Sequence, residues 1–341
     1  MKSDARKMAG SALTSGRACR GRCHRTIYLR SGASALLISA ILLAISGISL
    51  AQALYKYRGP DGEWIYTDRA PEAEAGAEVR ELPNGLKKPE VSLAYRLVGR
   101  QIQFHATNEF HAPVELVLAL DVLENVERPP PDQSMNWLLP PRSETELLRL
   151  DTVSGAGVPN ISYRFLYLYG DPKAVHRIDR PYRAPFAIAN KFMVSQAFPI
   201  QVTHNTADSN YAVDFAMPVG TDVYAARGGT VIEVASTNFR AGFNPGEKGA
   251  SANLVRILHD DGTIGVYAHL NWNTIRVKPG DEVKRGEYIA DSGNTGFSSG
   301  PHLHFVVLRN SGGRLESLPI VFEGSNKARV TPKFGERLAA Y

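Results

Sequence analysis

The sequence predicts a mostly β protein, with a small β-hairpin domain, a β-sandwich-like domain and a C-terminal antiparallel β-sheet domain in that order. Three observations predict it. Short runs alternate apolar and polar residues, as in Gln101-Ile102-Gln103-Phe104-His105-Ala106, the period of a strand with one buried face. Proline clusters such as Pro129-Pro130-Pro131 and Pro140-Pro141 separate such runs in the middle of the chain. Glycine-rich turns separate shorter ones toward the end.

Residues 1–53 read as a leader outside these domains. Lys2, Arg6, Lys7, Arg17, Arg20, Arg22, Arg25 and Arg30 make a basic region, an uncharged apolar run follows from about Ala33 to Leu50, and Ala51-Gln52-Ala53 has the A-x-A form of a cleavage site. Cut after Ala53, this is a secretory signal peptide. Left uncut, it would tether the chain to the inner membrane. Either way the rest is exported, to the periplasm or cell envelope. The leader also explains the charge. It carries eight basic residues and one acid, a net of +7, against +5 for the whole chain, so the remainder is +5 − 7 = −2. That balance makes no electrostatic case for nucleic-acid binding. Both cysteines, Cys19 and Cys23, lie in the leader, so any metal site beyond it must use His, Asp, Glu or Asn.

Residues 54–88 open with two alternating stretches around Pro60-Asp61-Gly62, a hairpin signal. The run from Tyr55 to Asp68 resembles a small module of exported proteins, its aromatics expected to form a mini-core or, alternatively, to bind glycan. Residues 89–190 hold several alternating strands, including Val114 to Leu120 and Tyr163 to Tyr169. They are expected to form an immunoglobulin-like β-sandwich. His105 and His111 read there as strand or surface residues.

Residues 191–325 form the third domain, with 326–341 as a tail. Runs from Thr230, Asn253 and Thr263 read as antiparallel strands, and His259-Asp260-Asp261-Gly262-Thr263 as the hairpin turn between the last two, with His259 a strand-end residue. Val277 to Ala290 resembles the hammerhead turn of biotinyl and lipoyl carrier domains but has no lysine at the matching tip, so it reads as scaffold. In Pro301-His302-Leu303-His304-Phe305 the two histidines lie two apart, on one face of a strand, where both reach a single site. Imidazoles held in that way suit a metal ion.

The stretch Asn210 to Thr221, then Tyr267-Ala268-His269-Leu270, then His302 to His304, in that order, resembles the lysostaphin/LytM-type zinc endopeptidases of bacterial cell walls over about Phe192 to Glu323. The resemblance implies an exported zinc metalloendopeptidase that hydrolyses peptide cross-links of peptidoglycan with metal-activated water. Peptidoglycan stem peptides would be its substrate, and another cell-wall hydrolase or a division complex a conceivable partner. It implies Asp214 and His304 as zinc ligands, His302 as general base and His269 as donor to the oxyanion. Tyr267 would share the face of His269 and pack beneath it. Asp208, Asp222 and Asp291 are the acids available to support the histidines. The third ligand departs from the pattern, because Asn210 stands four before Asp214, where a histidine is expected. His204 could swing in from the preceding loop, Asn210 could offer its amide oxygen, or the site could be empty. The last case would make the domain a metal-free regulator or binding module that activates another wall hydrolase. No H-E-x-x-H, G-x-S-x-G or phosphate-loop motif competes.

Overall fold

The computed structural model describes residues 88–242 and 251–341, and the backbone of three earlier strands, Ala53–Arg58, Trp64–Thr67 and Glu78–Glu81. The leader therefore lies outside the described residues, save for Ala53. Those three strands form an antiparallel sheet with the first in the middle, Arg58 opposite Trp64 and Tyr55 opposite Val79.

Strands Val91–Val98, Gln101–Asn108 and Ser143–Asp151 make one three-stranded sheet. Asn136–Leu139, Val114–Glu124 and Asn160–Tyr169 make a second. Alternation does the folding. Ile102, Phe104 and Ala106 bury one face of their strand, and Tyr163, Phe165 and Tyr167 that of theirs, in a common core. The Tyr163 hydroxyl crosses that core and donates to the Leu93 carbonyl at 2.8 Å, which satisfies a polar group that burial would otherwise penalise.

The C-terminal sheet runs in the order Glu282–Val283, Gly229–Ala235, Asn253–Leu258, Ile264–Leu270, His302–Asn310, Val213–Ala216, Lys191–Gln196, Arg337–Ala339, with Leu315–Ser317 also paired to His302–Asn310. All the pairings are antiparallel. Leu303 and Phe305 point to the covered face, onto Phe215, Tyr267 and Phe322. His302 and His304, between and beside them, point to the other face. Burial of each large apolar side chain contributes about 1.5–3 kcal/mol, so the apolar members of the strand decide which way the histidines turn.

The core of this sheet reaches beyond the expected boundaries of 191–325. Tyr182, Ala184 and Phe186 are buried in it from one side, and Leu338 and Ala340 from the other. Residues 326–341 are thus not a tail, since Arg337–Ala339 pairs with Lys191–Gln196. Residues 89–341 make one compact unit. Ala112, Leu168 and Tyr169 of the sandwich pack on Ile264, Val306 and Leu308 of the large sheet.

Candidate metal centre

Cross-strand register builds the site. Gln196, Asp214 and His304 stand directly opposite one another on three adjacent strands, with Ala268 next in the row and His302 opposite Ala216. One face of the sheet therefore carries Gln196, Asp214, His304 and His302 side by side, since directly opposed residues share a face.

His269 does not belong to that row by alternation. Leu270 pairs with Asn253 and Ala268 with Leu254, so His269 is the extra residue of a β-bulge, and its φ is +60°. A bulge re-aims a side chain, here at the cost of a left-handed backbone that non-glycine residues seldom adopt. Its ring lies 4.5 Å from that of His302 and 5.8 Å from that of His304. Tyr267 consequently does not share its face. Tyr267 is buried on Phe305, ring centroids 5.0 Å apart, and its hydroxyl accepts the Ala226 amide at 2.7 Å.

His204 arrives from the segment between the strands Lys191–Gln196 and Val213–Ala216. His204, Asp214 and His304 each place a ligand atom within 4.8 Å of the others'. Nε2 of His204 is 3.2 Å from Oδ2 of Asp214, and Nδ1 of His304 is 2.9 Å from Oδ1. Asn210 is turned elsewhere, its Oδ1 accepting a hydrogen bond from Gln201 Nε2 at 2.8 Å.

Electrostatics favour a cation here. Asp214 is only 2% exposed. Burial pushes its carboxyl pKa up, but hydrogen bonds from His204 and His304, with their charge, outweigh that and hold it well below the usual carboxylate range. Gln196 Nε2 donates to the same carboxylate at 2.6 Å. Two imidazoles and one ionised carboxylate are a hard-to-borderline donor set that zinc accepts. Bonds near 2.1 Å to a tetrahedral zinc separate two ligand atoms by about 3.4 Å, close to the 2.9 and 3.2 Å found. The residues fit the ion.

The two remaining histidines are fixed in one tautomer. Nδ1 of His269 lies 2.6 Å from the Thr295 carbonyl, and Nδ1 of His302 lies 2.8 Å from the Gly300 carbonyl. A carbonyl only accepts, so each Nδ1 carries the hydrogen and each Nε2 presents a lone pair. Burial pushes the His269 pKa down to about 3, helped by His302 and His304 and opposed by the Thr295 carbonyl and Asp214. Neutral His269 therefore offers an acceptor at Nε2. The oxyanion-donor role expected of it requires a second proton there.

The acids singled out from the sequence are occupied elsewhere. Asp208 accepts the Thr206 hydroxyl at 2.6 Å, Asp222 that of Tyr224 at 3.1 Å and Asp291 that of Tyr288 at 2.6 Å. The groups that hold the site together are Gln196 and two loop carbonyls. The carbonyls leave no trace in a sequence, and Gln196 emerges only once the strand register is known. Gly293 pairs with His302, and a Cβ there would lie 2.5 Å from the Asn271 amide, so only glycine lets the loop lie flat against the strand that carries the histidines.

Histidines from two strands and a loop converge with one carboxylate over a face of the β-sheet, in a cluster of the kind that holds a metal ion. Residues 208–315 match Peptidase family M23, and the chain carries a domain of that family. Related chains agree. The uncharacterized metalloprotease of Buchnera aphidicola is 33% identical over 144 residues, 42% of this chain and 34% of that protein. The glycyl-glycine endopeptidase ALE-1 of Staphylococcus capitis is 39% identical over 104 residues, 30% of this chain and 25% of that protein. The peptidoglycan DD-endopeptidase ShyA of Vibrio cholerae is 34% identical over 128 residues, 38% and 26% of the two chains. Among solved structures, the catalytic domain of lysostaphin from Staphylococcus simulans is 31% identical, covering 37% of this chain and 84% of that one, with a TM-score of 0.27. The matched region spans between a quarter and about a third of these three curated relatives.

Proposed function

We propose that the protein is an exported zinc metalloendopeptidase that hydrolyses peptide cross-links of peptidoglycan. One observation carries the reading: His204, Asp214 and His304 lie within 4.8 Å of one another, with the lone pairs of His269 and His302 available beside them. The substrate class is supported by relatives whose names specify glycyl-glycine and peptidoglycan DD-endopeptidases. Export is supported by the leader pattern of residues 1–53.

In this reading His204, Asp214 and His304 hold the ion, and Asn210 serves the loop through Gln201. A zinc ion held there would supply Lewis-acid polarisation of the scissile carbonyl and of attacking water. His302 accepts the water proton at Nε2, its ring held by the Gly300 carbonyl. The proton taken by His302 passes to Nε2 of His269, whose ring lies 4.5 Å away and which then donates to the oxyanion. The burial of His269 beside His302 makes that proton easy to pass on to the leaving amine.

The test is zinc content followed by digestion. The purified full chain is expected to hold one zinc per molecule and to release cross-linked peptides from purified sacculi. His304→Ala and His204→Ala should each lower zinc affinity at least 100-fold, and Asn210→Ala less than 3-fold. A chain without stoichiometric zinc that leaves sacculi intact would instead be a metal-free regulator of another wall hydrolase.

A further inference from the structure

Gln196 makes more hydrogen bonds at the site than any role read from the sequence accounts for. Its Nε2 donates to Asp214 Oδ2 at 2.6 Å and lies 3.0 Å from Thr203 Oγ1. Its Oε1 accepts the backbone amides of Val202 at 2.7 Å and Thr203 at 3.0 Å. One amide side chain thus grips the carboxylate with one end and, with the other, the chain just before His204.

The segment it grips has little else to hold it. Phe198, Ile200 and Val202 are exposed, Val202 at 84%. Phe198 packs against Tyr211 with the rings tilted, centroids 4.8 Å apart, and Gln201 Nε2 ties the His204 carbonyl at 2.7 Å. Neither of these contacts refers the segment to Asp214. Gln196 does, from a strand position directly opposite Asp214, beyond a register shift that leaves Ser195 unopposed. A segment with so many exposed apolar side chains loses conformational entropy when it is ordered, about 1–2 kcal/mol per residue, and local hydrogen bonds help to offset that cost.

We propose that Gln196 is a positioning residue for the metal centre: it fixes the His204 segment to Asp214, and so sets the third ligand in a chain that has asparagine four residues before that carboxylate. The proposal rests on reading His204, Asp214 and His304 as the metal site. Groups that orient metal ligands commonly govern affinity 10–100-fold, and Gln196 would do so through His204.

A double-mutant cycle on the full chain tests it, with zinc affinity measured by chelator competition and amide exchange followed in the metal-free protein. Gln196→Ala should weaken zinc 10–100-fold. Added to His204→Ala it should weaken zinc less than 3-fold further, because Gln196 then has no ligand left to position. In the metal-free Gln196→Ala protein the Val202 and Thr203 amides should exchange at least 10-fold faster, while the Val213 and Phe305 amides keep their rates. Unchanged zinc affinity in Gln196→Ala would overturn the proposal and leave the metal reading intact. So would the same zinc loss in both backgrounds, which would mean that Gln196 acts on Asp214 alone. A wild-type chain that takes up no zinc overturns both.

Discussion

His269 shows how a single backbone angle serves the site. Its φ of +60° and its place as the unpaired residue of a bulge bring it onto the face of His302 and His304, where strict alternation would have turned it into the core. Asparagine tolerates a left-handed backbone better than other side chains but cannot accept or release a proton near neutrality. His269→Asn is expected to fold with stability within about 1 kcal/mol of wild type and to lower turnover on sacculi 10²–10⁴-fold, the usual contribution of a proton-transfer group. Denaturant titration and single-substrate kinetics on the same preparation check both halves. At this scale the sequence was legible wherever periodicity decides direction. His302 and His304 reach one face because Leu303 and Phe305 need the other. It was illegible at His269 and Gln196, because register shifts depend on how neighbouring strands pair.

The hairpin of Asn253–Leu258 and Ile264–Leu270 supplies His269 and is held at its turn by a buried histidine. His259 is 3% exposed and donates from Nδ1 to the Gly228 carbonyl at 2.9 Å, while its Nε2 is buried without a hydrogen-bond partner. Gly265 leaves room for the ring, since a Cβ there would lie 2.8 Å from that Nε2. Burial pushes the His259 pKa down from 6.5 to about 4, with Arg227 adding to the shift and the Gly228 carbonyl, Asp261 and Asp260 opposing it. A depressed histidine pKa means that the unfolded chain binds a proton the folded chain refuses. The resulting stability is fully present above pH 6.5 and is lost as pH falls toward 4. Compared with His259→Gln, which does not titrate, the wild type should lose about 3 kcal/mol of relative stability over that interval. Urea unfolding of both proteins at several pH values between 4 and 7 measures it. A difference that stays flat with pH would mean that the ring is protonated in the fold. The sequence placed His259 at a strand end, but its burial comes from Tyr182, whose ring centroid is 5.9 Å away and which lies 77 positions earlier in the chain.

At the largest scale, the sandwich and the large sheet meet through apolar side chains and through a buried carboxylate. Glu115 is 3% exposed and accepts from Asn136 Nδ2 at 2.7 Å on its own side, and from Asn310 Nδ2 at 2.8 Å and the Gly313 amide at 3.0 Å on the other. Asn310 ends the strand that begins at His302. In the sequence Glu115 is one charged residue at the start of an apolar run, and nothing within either segment foretells a partner nearly two hundred positions away. Removing the carboxylate leaves one N–H of the buried Asn310 amide unpaired, while the exposed Asn136 and Gly313 can turn to water, and a stranded buried donor costs about 1–3 kcal/mol. Glu115→Ala is therefore expected to destabilise the chain by about 1–3 kcal/mol. Its calorimetric transition should split, because apolar contact of Ala112, Leu168 and Tyr169 with the large sheet would be left as the main link between two cores that can melt separately. Zinc affinity should change less than 3-fold, since the histidine end of the strand is registered by Val213–Ala216 and Ile264–Leu270 and not by Asn310. A single transition shifted by less than about 1 kcal/mol would mean that the remaining contacts join the two, and that the buried carboxylate is not what couples them.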